Sequence, residues 1–217
     1  MRLYNNFRTA FLALAALLLT SCIELEERII IYPDKSGDYS LKLDLSALSQ
    51  TGMDAFKPSD EILNFPQTVE NAVKNVSGIS NVKAESDTKK GIYQVSFRFK
   101  NHKVFKRALL QLAGMKYGFI VPKYMKAGKH RFSKKNIGPL IAKQINKQDN
   151  SPLKQDFMGV DVASMINVKT IIETPHEVKN IKKNVRAVKT NDPEIVEIKS
   201  TLKDILNGAS TGVVVRY

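Results

Sequence analysis

Few residues of this 217-residue chain have the types and spacing that chemistry requires. Gly208-Ala209-Ser210-Thr211-Gly212 matches G-x-S-x-G, the sharp turn that exposes a nucleophilic serine between a strand and a helix. That chemistry also needs an acid and a histidine further along the chain. Here the pattern puts a helix before the motif and a strand after it, and no histidine follows Ser210 before the end at Tyr217. A turn ahead of an edge strand accounts for these residues. The three histidines, His102, His130 and His176, are dispersed and lack the H-E-x-x-H spacing that aims two rings at one metal. His176 and Glu177 are adjacent, so they diverge on either a helix or a strand. Asp60-Glu61 and Glu26-Glu27 read as charges solvating a helix start and the first strand rather than as a general acid–base couple. No glycine-rich phosphate loop is present. The sequence therefore nominates no catalytic residue, no metal ligand and no cofactor.

One thiol remains, Cys22, at the end of Leu19-Thr20-Ser21-Cys22. Ahead of it, Arg2 and Arg8 give a positive start without an acid. Residues 10–19 form an apolar run half the length of the roughly 20 residues a bilayer span requires. This order of charge, apolar core and small residues is that of a secretory signal. It resembles the lipobox of bacterial lipoproteins, which implies a signal peptide over residues 1–21 and a lipidated Cys22 carrying a diacylglycerol and an N-acyl chain such as palmitate. Ile23, in place of aspartate, implies by the sorting rule of enteric bacteria the outer rather than the inner membrane. With its thiol acylated, the chain can form no disulfide and offers no thiolate.

The chain carries 34 Lys and Arg against 21 Asp and Glu, and the excess is localised. Residues 22–87 hold 6 basic and 12 acidic groups, and residues 149–217 hold 10 and 9. Between them, residues 88–148 hold 16 Lys or Arg and no acid at all. Within this stretch Lys116, Lys123, Tyr124, Lys126, Lys129, Arg131, Lys134 and Lys135 interleave cations with aromatics. Such a composition binds polyanions by charge and stacking. An exported protein meets little nucleic acid, so the expected partner is an anionic lipid headgroup, an acidic polymer or an acidic protein face.

The elements that must position these residues follow from periodicity. Residues 29–32 and the alternating Tyr39, Leu41, Leu43 and Leu45 predict a hairpin around residues 34–38, with Gly37 expected to supply the unusual backbone angle. Residues 66–76 predict a helix with Val69, Ala72, Val73 and Val76 on one face and Gly78 as its stop. Residues 81–85 read as a weak strand and Tyr93, Val95, Phe97 and Phe99 as a strong one. A helix follows, with Val104, Phe105, Ala108, Leu109 and Leu112 inward and a stop at Gly114. Residues 119–121 read as a short strand broken by Pro122, and Pro139 opens a helix running to residue 148. The last third predicts strands at 168–173, 195–198 and 213–217, with a helix at 201–207 stopped by Gly208. This order predicts an α+β fold, an antiparallel sheet with helices packed on one face. Residues 22–217 read as a single envelope domain, with a polar stretch at 149–152 as the candidate boundary between subdomains.

Cys22, Ile29-Ile30-Ile31, Asp34, Ser36-Gly37, Tyr39-Ser40-Leu41 and Leu43-Asp44 look like the opening hairpin of small lipoproteins of unknown function, the LppM-like lipoproteins among them. Lys35 stands where that hairpin often has glycine. Thr174-Pro175, Val178 and Leu202-Lys203-Asp204-Ile205-Leu206 are similar to the ending. The likeness covers the two ends and skips the basic middle. It implies an envelope-facing α+β domain and carries over no functional residues. The functional expectation is a lipid-anchored, non-enzymatic domain that binds or scaffolds an anionic partner. The alternative is an envelope enzyme, a hydrolase for example, whose site is assembled from distant residues.

Overall fold

Alternation at Tyr93, Val95, Phe97 and Phe99 fixes which way the larger sheet faces, because residues two apart on a strand share a side. The computed structural model describes residues 23–50, 60–112, 124–147, 156–157 and 160–217. Its strands are β1 (Ile23–Ile31), β2 (Gly37–Asp44), β3 (Ile79–Asp87), β4 (Ile92–Phe99), β5 (Met125–Ala127), β6 (Arg131–Lys134), β7 (Asp156–Phe157), β8 (Val160–Asp161), β9 (Ile166–Glu173), β10 (Asn180–Lys182), β11 (Ala187–Lys189), β12 (Ile195–Thr201) and β13 (Val213–Arg216). The helices are α1 (Ser46–Gln50), α2 (Asp60–Leu63), α3 (Phe65–Val73), α4 (His102–Leu112), α5 (Gly138–Asn146) and α6 (Leu202–Leu206).

Seven strands form one sheet in the order β11-β12-β9-β1-β2-β4-β3, and four form a second in the order β10-β13-β6-β5. The class is α+β, as the order of elements predicts. Pairing is antiparallel except for β1 beside β9, which run in the same direction. In register, Ile29 stands between Tyr39 and Ile172, and Tyr39 stands opposite Phe97. That row belongs to the inner face, which also carries Ile31, Val95, Phe99 and Val196.

Against the inner face pack α3 through Val73 and α4 through Val104, Phe105 and Ala108. The second sheet adds Met125, Ala127, Phe132, Val213 and Val215 to the same core. Phe105 is the hub, with ring centroids 5.1 Å from Tyr39, 5.3 Å from Phe99 and 5.9 Å from both Phe97 and Tyr124. Burying each such aromatic contributes about 1.5–3 kcal/mol. A second cluster joins Ile23, Leu45, Tyr93, Ile166 and Leu202 at the start of β1.

Three sequence expectations change. The left-handed residue of the first hairpin is Lys35, at φ 70°, and not Gly37. Gly37 lies inside β2, where a Cβ would run into Ile30 O and sit 2.5 Å from Phe99 Cζ. The short strands β5, β6, β10 and β11 escape the periodicity reading because three or four residues are too few to show alternation. A second sheet, and not helices alone, covers the core face. The strand expected at 119–121, the helix stop at Gly114 and the boundary at 149–152 lie outside the described residues. No described helix is long and apolar enough to cross a membrane.

Candidate anion-binding face

Strand β6 divides its side chains by alternation. Phe132 and Lys134 point into the core, while Arg131 and Ser133 face out. Its neighbour β5 buries Met125 and Ala127 and exposes Lys126. On the other side of β6, Ser133 pairs with Val214 and Arg131 pairs with Arg216 of β13. Beyond β13, Lys182 of β10 stands opposite Val214 and Asn180 opposite Arg216. The outer face of this sheet therefore has one row running Lys126, Ser133, Val214, Lys182 and a second running Arg131, Arg216, Asn180.

Lys135 continues the face past β6, Lys183 continues it past β10, and Lys129 occupies the β5–β6 turn; all three are exposed. A groove of about 520 Å³ opens among Lys126, Arg131, Ser133, Lys135, Lys183 and Ser210. No described carboxylate comes within ion-pair distance of Lys126, Lys129, Arg131, Lys135, Lys182, Lys183 or Arg216.

The open face of the seven-stranded sheet contrasts with this. There Lys169 bridges Glu26 at 3.0 Å and Glu197 at 3.4 Å, Arg28 meets Glu173 at 3.6 Å, and Lys42 meets Asp44 at 2.9 Å. Arg98 Nε donates to Asp38 Oδ1 at 2.8 Å, a bond that holds the Asp38 carboxyl below its ordinary value. A groove of about 610 Å³ on that face includes Arg28, Asp38, Ser40, Ser96 and Arg98. Its arginines are already answered by acids.

Lys134 departs from its sequence neighbours. Its side chain is 3% exposed, with Nζ 2.6 Å from Glu27 Oε2 and 3.2 Å from Thr170 Oγ1. Tyr124 Oη donates to Glu27 Oε1, and Lys134 Nζ lies 5.6 Å from the Tyr124 ring centre. Burial, reinforced by the Glu27 charge, pushes the Tyr39 and Tyr124 phenols well above their ordinary values. Lys134 and Tyr124 thus belong to a polar cluster between the two sheets, and the surface role expected of Lys134 is corrected. Glu27 is corrected with it: the adjacent acids split, Glu26 to the open face and Glu27 to the interior. Alternation separates neighbours on a strand in this way.

Of the other expected binding residues, Lys126, Lys129, Arg131 and Lys135 are exposed near one another. Lys116, Lys123 and Cys22 lie outside the described residues. Lys182, Lys183 and Arg216 were missed because the last third of the chain is nearly charge-balanced, so no local excess marks them. Their signal is the sheet register, which a charge count along the chain does not contain.

The Gly208–Gly212 segment is a packed turn between α6 and β13. Asn136 Oδ1 accepts from Thr211 N at 3.1 Å and from Gly138 N at 3.0 Å, and Ser210 Oγ donates to the Gly212 carbonyl at 3.3 Å. The helix before and strand after Ser210 agree with the sequence expectation. His102 starts α4, His130 lies in the β5–β6 turn, and the His176 ring sits 6.3 Å from that of Tyr217.

The face also has a direction. Tyr217 N donates to His130 O at 3.2 Å, so the β5–β6 turn adjoins the His176 loop. That loop follows Glu173, whose neighbour in register is Ile30, near the end of β1. The turn is therefore at the opposite end from Ile23, separated by a strand of nine residues, about 26 Å end to end at ~3.3 Å per residue.

No family model matches the chain, and no curated protein matches it. Among solved structures, the chain is similar to the NMR structure of the folded domain of the Mycobacterium tuberculosis LppM protein. Identity is 12% and the TM-score 0.40, with 91% of each chain covered.

Proposed function

We propose that this is a lipid-anchored envelope domain that binds an anionic partner through the outer face of its four-stranded sheet. The observation that carries the reading is the charge contrast between the two sheet faces. On the open face of the larger sheet Arg28, Lys42, Arg98, Lys169 and Lys199 are each paired with an acid, and Lys83 alone among the described cations of its row is not. By contrast, Lys126, Arg131, Lys135, Lys182, Lys183 and Arg216 gather on the smaller one without a described carboxylate. Like charges side by side destabilise a sheet, and a bound polyanion offsets that cost. Each Lys or Arg held near an anionic surface contributes about 1 kcal/mol, decaying over a Debye length of about 8 Å.

The anchor is Cys22, acylated and set directly before β1, with the outer membrane as its destination. Two or more acyl chains hold such a protein stably, at about 0.8 kcal/mol per buried methylene. The unpaired face then rises from the level of the anchor toward the far end of β1.

Two measurements test this reading. Binding of the full chain to anionic vesicles, an acidic polysaccharide and an acidic protein is followed as salt rises, with Lys126, Lys129, Arg131 and Lys135 replaced by glutamine. Salt-sensitive binding that the replacements weaken is expected; binding indifferent to both overturns it. Cys22→Ser should abolish incorporation of labelled fatty acid, and continued labelling refutes the anchor.

A further inference from the structure

Arg131 and Arg216 stand directly opposite each other on β6 and β13. Arg216 O accepts from Lys179 N at 2.8 Å on the β10 side, while the next residue, Tyr217, donates to His130 O. Arg216 therefore turns its backbone groups away from β6, and its pairing with Arg131 is of the type without mutual hydrogen bonds. In antiparallel sheets that type has the closer approach, about 4.5 Å between Cα atoms, and brings the side chains nearest together. Both arginines are exposed, and no described carboxylate pairs with either. Asn180 flanks Arg216 on the far side, and Lys129 and His130 occupy the adjoining turn.

Resting on the reading of this face as an anion site, we propose that Arg131 and Arg216 form a two-guanidinium clamp selective for a phosphate monoester. A carboxylate or a sulfate ester brings one charge. A phosphate monoester brings nearly two at neutral pH, with a second pKa of about 6, and three acceptor oxygens. Two planar forks can each give such a group a pair of parallel hydrogen bonds, which lysine cannot reproduce. The clamp lies at the end of the domain opposite Ile23, away from the membrane in which Cys22 is anchored. That position argues against a headgroup of the anchoring bilayer, and the proposal commits to a phosphorylated saccharide chain, whose hydroxyls Ser133 and Ser210 in the groove beside Arg131 can meet.

The test compares binding of the full chain, in neutral detergent, to phosphodextran and to dextran sulfate of equal length and substitution. At about pH 8 the phosphate polymer should bind about tenfold more tightly, and the preference should collapse toward about pH 5 as the second phosphate charge is lost. His130 of the adjoining turn is exposed to both polymers alike, and dextran sulfate binding at each pH serves as its reference. Arg131→Lys and Arg216→Lys should each remove most of the preference while dextran sulfate binding, which also reports that the variants are folded, stays within about twofold. Equal binding of the two polymers, or a preference that survives both substitutions, overturns the clamp yet leaves the anion-binding face standing. Failure to bind either polymer overturns the face itself. Binding confined to vesicles of phosphatidic acid overturns the saccharide assignment.

Discussion

Lys134 Nζ sits 2.6 Å from Glu27 Oε2, joining β6 of the smaller sheet to β1 of the larger through the interior. The pair is closed by neighbours: Tyr124 donates to the other Glu27 oxygen, and Thr170 Oγ1 lies 3.3 Å from Oε2. Two charges taken out of water recover their hydration cost only where geometry and extra hydrogen bonds complete the site.

Removing one partner should therefore cost far more than removing both. Glu27→Gln or Lys134→Met alone leaves an uncompensated buried charge and should lower stability by about 3–5 kcal/mol in urea unfolding. Glu27→Gln with Lys134→Met should cost less than either single change, because neither charge remains to be desolvated. Additive losses would show that the pair is not acting as a unit.

The same cluster predicts unfolding by alkali, because its buried phenols ionise more readily once the chain is unfolded. Tyr39 and Tyr124 are held well above the ordinary phenol value of 10.0, chiefly by burial and secondly by the Glu27 charge. A raised folded-state pKa favours the protonated form in the fold. This contribution is complete below about pH 10 and is lost as pH climbs through the raised values. Ultraviolet titration should show Tyr39 and Tyr124 silent until unfolding. Tyr39→Phe with Tyr124→Phe should remove that late, cooperative step and leave the earlier phenols unchanged.

The first hairpin separates two uses of glycine. At Lys35, φ is 70°, so Lys35→Gly should relieve left-handed strain and be neutral or stabilising by up to about 1 kcal/mol. Gly37→Ala forces a methyl against Ile30 O and Phe99 and should cost about 1–3 kcal/mol or more. Thermal unfolding of the two variants decides the matter, and a stabilising Gly37→Ala would mean that the close approach is wrong.

What the sequence reveals depends on the length of the element. β4 and α4 are eight and eleven residues long, enough for alternation at residues 93–99 and helical spacing at 104–109 to select core side chains, whereas Leu112, expected inward, is exposed at the helix end. Thr201 is equally legible: its hydroxyl accepts from Asp204 N at 3.1 Å while Asp204 answers the Thr201 amide, capping α6 where the pattern places a helix start. In β5 and β6 the signal fails, because two or three alternating positions among lysines look like a solvated basic run. Lys134 shows why composition misleads there. Whether a cation faces water or a buried acid depends on Glu27, a residue brought near only by the packing of two sheets.

The contrast between charge along the chain and charge in space gives a final prediction. Lys100 and Lys103 belong to the acid-free stretch but lie at the end of β4 and the start of α4, on no strand of the smaller sheet. Lys182, Lys183 and Arg216 belong to the balanced last third but share a face with Lys126 and Arg131. If binding follows the surface, replacing Lys182, Lys183 and Arg216 by glutamine should weaken salt-sensitive association with a polyanion as strongly as replacing Lys126, Arg131 and Lys135. Each set should remove up to about 3 kcal/mol, at about 1 kcal/mol per cation near an anionic surface. Replacing Lys100 and Lys103 should change less than either set, because neither residue stands on a strand of that sheet. Equal losses from all three sets would mean that net charge, and not this face, governs association.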